Sequence, residues 1–99
     1  MNKEKILSFL GLVKRAKKLE TNPSTVIDLL KNNKVHLVFI DESYNTDSAR
    51  QIRNKCAFYN IQIISTIEKD ELSHSIGEKN TNVIAILDKG FKDAILKLL

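Results

Sequence analysis

Apolar residues recur at helical spacing from the start of the chain. Ile6, Phe9, Leu10, Val13 and Ala16 lie on one stripe, which predicts an amphipathic helix over residues 3–17. Leu19–Thr21 has room only for a short strand or bridge. Asn22 and Pro23 then have the form of an N-cap and a first helical position. Asparagine accepts from open backbone donors, and proline lacks the N–H that would be orphaned there. This second helix carries Val26, Ile27, Leu29 and Leu30 and ends at Asn32-Asn33. VHLVFI, residues 35–40, is an apolar run broken only by His36, the pattern of a central strand covered on both faces. Asn45 or Thr46 caps a third helix carrying Ala49, Ile52, Arg53, Cys56 and Ala57. IQIIS, residues 61–65, predicts another strand. Ser65 and Glu68 have the spacing of a capping box, and a short helix follows through Leu72 and Ile76 to a stop at Gly77. NVIAIL, residues 82–87, is a further buried strand. Asp88 caps the last helix, with Phe91, Ile95, Leu96 and Leu99 on its stripe.

Alternation of this kind covers both faces of a sheet with helices. It predicts an α/β fold, a three-layer α/β/α sandwich with a mixed four-stranded sheet. Residues 1–99 are expected to form one domain, since about 100–150 residues is the usual domain size. A chain that is 42% hydrophobic, with one proline and three glycines, is expected to fold rather than stay disordered. The apolar run near the N-terminus lacks a small-residue cleavage site and returns quickly to lysine and arginine, which argues against a signal peptide. No apolar stretch is long enough to span a bilayer, so no membrane partner is expected. The single cysteine, Cys56, cannot close an internal disulfide, and a reducing, cytoplasmic setting is the expectation.

Charge alters this picture. The net charge is +4, and residues 1–18 hold six basic residues against one acid, Glu4, a balance of +5. The excess belongs to the first element, and above all to KRAKK, residues 14–18. One reading is an anionic partner. The other is a solvated helix end whose lysines are favoured by the helix dipole. Gly11, close to Lys14 and Arg15, permits either the approach of another chain or close packing inside the domain.

Chemistry is sparse. No GxSxG, P-loop or GxGxxG pattern occurs, and no nucleophile sits beside a base. Cys56 falls on an apolar stripe and reads as a core residue. His36 and His74 are scattered and without ligand spacing, so no metal and no cofactor are expected. Asp41-Glu42 and Asp70-Glu71 are read as a strand end and a first helical turn rather than as acid–base pairs. Three surface features remain: the basic flank Lys14, Arg15 and Lys18; the tip of the second helix, TNPST, read as rich in free N–H donors; and the loop GEKNTN, residues 77–82. Gathered at one end of the sandwich, they would suit RNA with splayed bases.

The order GLVKRAKKL, HLVFIDES, NTDSARQIRNKCAFYNI, ELSHSIG and NVIAILDKGF resembles the kink-turn-binding ribosomal protein superfamily, the large-subunit "L seven Ae" and "L thirty e" proteins, and within it the small bacterial YlxQ-like branch. The likeness spans about residues 6–97, and NKCAFYNI, ELSHSIG and ILDKGF are its most specific pieces. It implies an α/β/α sandwich and a non-catalytic protein that binds structured RNA, ribosomal or ribosome-associated. It also implies an RNA-binding rim of Lys14, Arg15, Lys18, Asn22, Ser24, Thr25, Asp28, Glu42, Ser43, Val83 and Ile84. The chain departs from the family's motif at the second helix. Asn22 stands where glycine is expected, Ser24 and Thr25 replace residues that reach guanine edges, and Asp28 stands in place of a lysine. A protein-interaction module on the same fold, with kink-turn binding weakened or lost, is therefore the alternative.

Overall fold

The computed structural model describes residues 1–99, and its elements alternate as the hydrophobic pattern predicts. They are α1 (Lys3–Arg15), β1 (Leu19–Glu20), α2 (Pro23–Lys31), β2 (Leu37–Ile40), α3 (Asp47–Phe58), β3 (Ile63–Ile64), α4 (Lys69–Ser75), β4 (Val83–Ile86) and α5 (Lys89–Leu96). The strands are shorter than their apolar runs. β1 stops before Thr21 because the Thr21 N–H donates to the Glu20 carboxylate at 2.9 Å instead of joining the sheet. His36, expected inside β2, precedes that strand and is half-buried. Helix α5 ends at Leu96, so Leu99 leaves the apolar stripe and is 43% exposed.

The caps are the local reason the helices start where they do. Asn22 caps α2 with Pro23 at the first position, and Asp88 caps α5 through the Phe91 N–H at 2.9 Å. Thr46, not Asn45, caps α3, through the Ala49 N–H at 3.1 Å. The capping box read from Ser65 and Glu68 is not formed. Glu68 is the N-cap of α4 but makes no side-chain cap bond. The helix starts three residues later than that spacing implies, and its first N–H, that of Lys69, is instead accepted by Asp41 Oδ2 at 2.5 Å.

The first four helices share one way of stopping. Lys17, Asn33, Asn60 and Gly77 each take a left-handed backbone, with φ between 57° and 68°. The next residue's N–H in each case turns back to a carbonyl five positions earlier, as in Lys18 to Val13 and Glu78 to Ser73. These are Schellman closures, and the left-handed position normally goes to glycine or asparagine. Lys17 is the exception.

The sheet is mixed, with strand order β1-β4-β2-β3. β4 is antiparallel to both β1 and β2, and β3 is parallel to β2. One face carries α1, α4 and α5 over Leu37, Phe39, Ile84 and Ile86, and the other carries α2 and α3 over Val38, Ile40, Val83 and Ala85. This is the expected α/β/α sandwich. β2 and β4 are buried throughout because they lie in the middle of the sheet. Gly11 belongs to the packing: a Cβ there would stand 3.1 Å from the Ser75 carbonyl oxygen, so α1 can lie close against the end of α4.

Candidate nucleic-acid interface

Strand direction decides which loops meet. β1 and β2 run against β4, and β3 runs with β2. The segments after β1, β2 and β3 therefore share one end of the sheet with the segment before β4. That end holds the α2 tip, residues 41–46, residues 65–68 and the loop 77–82. A bond from the Asp41 N–H to the Asn82 carbonyl at 2.9 Å joins two of them directly. Asn22, Ser24, Glu42 and Ser43 are exposed on this rim, and Thr25 is half-buried.

The rim is held from beneath. Asp41 is 8% exposed, and its Oδ1 accepts from the Ser43 N–H at 2.7 Å and the Ser43 hydroxyl at 2.6 Å. The Ser43 hydroxyl, then the Lys69 and Ser43 N–H groups, hold the carboxyl below its ordinary value, against the effect of burial. Arg53 on α3 donates to the Tyr44 carbonyl at 2.8 Å and the Asp41 carbonyl at 3.2 Å, which fixes the same loop from the other face. The loop 77–82 is tied by the Thr81 N–H to the Ser73 hydroxyl at 2.8 Å. Asp41, Arg53 and Ser73 are missing from the rim read from the sequence. Only Asp41 left a signal there, a strand-end aspartate two residues before a serine, the spacing of an Asx turn.

The α2 tip differs from expectation. Its backbone donors are not free. Glu20 accepts from the Thr21 and Asn22 N–H groups at 2.9 and 3.1 Å. Asn22 Oδ1 accepts from the Ser24 and Thr25 N–H groups at 3.0 and 3.3 Å, and from the Ser24 hydroxyl at 2.8 Å. Pro23 has no donor at all. An anion reaching this tip must displace a side chain that already bonds it.

The basic flank is divided. Lys14 is half-buried and forms an ion pair with Glu78, which also accepts from the Thr21 hydroxyl at 3.2 Å. The Lys14 ammonium and, more weakly, Thr21 hold the Glu78 carboxyl below the usual carboxylate range. This pair joins α1, the α2 tip and the loop 77–82. Arg15 is exposed and has no ion-pair partner. Lys18 is also exposed, but its carbonyl accepts from the Leu87 N–H at 2.8 Å, which sets it at the end of β1 away from the α2 tip. Asp28 is exposed one turn along α2 from Ser24, and its carboxylate bonds nothing. Val83 and Ile84, expected on the rim, are fully buried. They begin β4, and a central strand sends one of them into each core. The exposed part of the lead-in ends at Asn80, since Thr81 is buried and Asn82 half-buried.

Elsewhere the chemistry stays sparse. Burial pushes the Cys56 thiol up to about 11, so the thiolate nucleophile is suppressed at neutral pH. No group of three or more His, Cys, Asp and Glu side chains is arranged to hold a metal ion. No helix is long and apolar enough to cross a membrane.

Residues 4–96 match the ribosomal protein L7Ae/L30e/S12e/Gadd45 family. The chain belongs to that family. It is 30% identical over 90 residues to a Bacillus subtilis (strain 168) protein named RNA-binding protein YlxQ, a match covering 91% of this chain and 90% of that one. An Enterococcus faecium protein of the same name is 26% identical over 98 residues, covering 99% and 94% of the two chains. A solved structure described as a protein with unknown function from Bacillus halodurans C superposes with a TM-score of 0.86 at 30% identity, over 95% of each chain. The Giardia lamblia 15.5kD RNA binding protein shares the fold, with a TM-score of 0.77 at 12% identity over 97% of this chain and 82% of that one. The likeness carried by NKCAFYNI, ELSHSIG and ILDKGF is thus borne out at the level of the family.

Proposed function

We propose that the protein is a non-catalytic, cytoplasmic RNA-binding protein, ribosomal or ribosome-associated, that takes a sharply bent, kink-turn-like RNA on the rim. The observation that carries this reading is the meeting of the α2 tip, the β2–α3 loop and the β4 lead-in at one end of the sheet. The names of the two near-full-length relatives support it. Asn22, Ser24 and Thr25 offer short polar groups to base edges, with Glu42 and Ser43 beside them. Arg15 supplies an unpaired cation, Lys14 becomes one when Glu78 lets go, and Lys18 approaches from the far end of β1. Base edges specify and phosphates position, so affinity and specificity divide between these two sets.

A second reading, a protein-interaction module on this fold, is favoured by three carboxylates. Glu20 and Glu78 already occupy donors and a cation that RNA phosphates would use, and Asp28 lies on the same face of α2 as Ser24. A gel-shift panel decides between the readings. The protein is titrated against a kink-turn RNA, the same RNA with its G·A pairs replaced, an unbent duplex and a single strand. Preference for the intact kink-turn is the expected result. Equal weak binding to all four would overturn kink-turn recognition, and binding to none would put the interaction module ahead.

A further inference from the structure

The end of the sandwich away from the rim carries a second surface of different composition. α2 and α3 both begin at the rim, so their last turns finish together at the opposite end. There Lys31, Asn54, Lys55, Phe58 and Tyr59 line a cleft of about 540 Å³. Phe58 is 81% exposed, the most exposed of the large apolar side chains. It is not loose, because Tyr59 meets it edge to face, with ring centroids 4.9 Å apart and planes at 86°. That contact holds the Phe58 ring up and leaves it open to solvent. Neither Lys31 nor Lys55 has an ion-pair partner, and no acid lines the cleft. Lys34, exposed just beyond α2, adds a third cation at the same end.

Nothing in the fold requires this arrangement. Phe58 belongs to neither core cluster. The Phe58 ring is exposed among cations and an amide, with no acid beside it. A flat π-face beside unpaired ammonium groups complements a chain that is itself alternately flat and anionic. We propose that the Phe58–Tyr59 end is a second RNA contact, which stacks an unpaired base on Phe58 and holds the neighbouring phosphates with Lys31 and Lys55. Asn54 offers an amide to the base edge. The surface takes single-stranded RNA with little regard to sequence, because every base has a π-face. It rests on the RNA-binding reading only for the class of ligand, since it uses no residue of the rim.

The test uses the whole chain and a single-stranded oligouridylate of about ten nucleotides, within the usual span of such a face. Amide NMR shifts are followed during the titration. Shifts at residues 31–34 and 54–60 are expected, and the rim answers separately at residues 21–25, 41–45 and 78–82. Shifts confined to the rim overturn this proposal and leave the rim reading intact. Shifts confined to the Phe58 end support it and leave the rim reading, which expects a bent RNA, intact. No shift anywhere overturns this proposal, while the rim reading is decided by the gel-shift panel. Three variants read the chemistry. Phe58→Leu keeps apolar area but loses the ring, and affinity for the oligouridylate should fall about tenfold, the usual effect of losing one stacked base. Phe58→Trp should restore it. The double variant Lys31→Gln, Lys55→Gln should flatten the dependence of log K on log salt by about 1.4, two single-strand phosphate contacts. Unchanged affinity in Phe58→Leu overturns the stacking. So do Phe58-end resonances that move with protein concentration and not with RNA, which identify an interface between two copies of the chain.

Discussion

Replacing Asp41 by asparagine keeps the side-chain volume and removes the charge that ties the rim to α4. In the protein Oδ1 accepts from the Ser43 N–H and hydroxyl at 2.7 and 2.6 Å, and Oδ2 accepts from the Lys69 N–H at 2.5 Å. An amide has one accepting end and one donating end. With its oxygen toward Ser43, its NH₂ group faces the Lys69 N–H. Turned round, it faces the Ser43 N–H. Either way a backbone donor now bonded to a carboxylate loses its partner. Hydrogen bonds to charged groups contribute about 1.5–3 kcal/mol, and a lost N-cap costs about 0.5–2 kcal/mol. Ser43 is exposed and can turn to water, which keeps the sum from the upper end. The expected loss is about 2 kcal/mol, or a fall in Tm of about 8–16 °C for a chain of this length. Urea unfolding followed by circular dichroism should show the midpoint falling by about 1–2 M with the slope unchanged. The acid limb gives a second check. The folded protein holds the Asp41 pKa below its ordinary value of 3.8, so the stabilisation is complete above the unfolded value and is lost as pH falls through the folded one. The gap between wild type and Asp41→Asn should therefore close below about pH 4. A midpoint shift smaller than about 0.3 M, or a gap that stays constant from neutral pH into acid, would refute the assignment of Asp41 as the cap of α4.

Asp28→Lys removes an unpartnered carboxylate from the face of α2 that carries Ser24. Affinity for a kink-turn RNA should rise by about 1–3 kcal/mol while stability changes by less than about 0.5 kcal/mol. An equal gain on the control with replaced G·A pairs would mean only a general charge effect. Glu78→Gln should release Lys14 and steepen the log K versus log salt slope by about 0.7–0.9, one further phosphate contact. A slope that stays the same in filter-binding titrations would show that Lys14 does not reach RNA. Lys17→Gly relieves a left-handed lysine, and thermal unfolding should show a gain of about 1 kcal/mol. No gain would mean that the Lys17 side chain stabilises the α1 exit in some other way.

The fold was legible where the signal is local. Asn22-Pro23 and Asp88 announce their helices because a cap acts within three residues, and VHLVFI and NVIAIL announce the central strands because both faces are covered. The Ser65–Glu68 spacing is equally local and misleads, because the helix begins at Lys69, whose N–H is held by a carboxylate from the end of β2. The supports of the rim could not be read the same way. Asp41 acts on Lys69 across 28 residues and Lys14 finds Glu78 across 64, distances at which side-chain spacing says nothing. The α2 tip looks open in the sequence because an N-terminal turn advertises its donors, while the carboxylate of Glu20 and the amide oxygen of Asn22 that fill them show only in the fold. Val83 and Ile84 came with the resemblance, and their burial follows from a strand that begins at Val83.

β4 is the last strand to be synthesised, yet it sits between β1 and β2. As the chain grows, β1 has no neighbour and β2 has only the two residues of β3 until residues 83–86 arrive. Ile6, Leu10 and Val13 meanwhile wait for a face of the sheet that is not yet there. Residues 83–86 must therefore be made before β1 and the β2–β3 pair can join into one sheet. During that interval the side of Leu37–Ile40 that β4 will cover is unpaired strand edge open to other nascent chains, and shielding it is a task for whatever meets the polypeptide first.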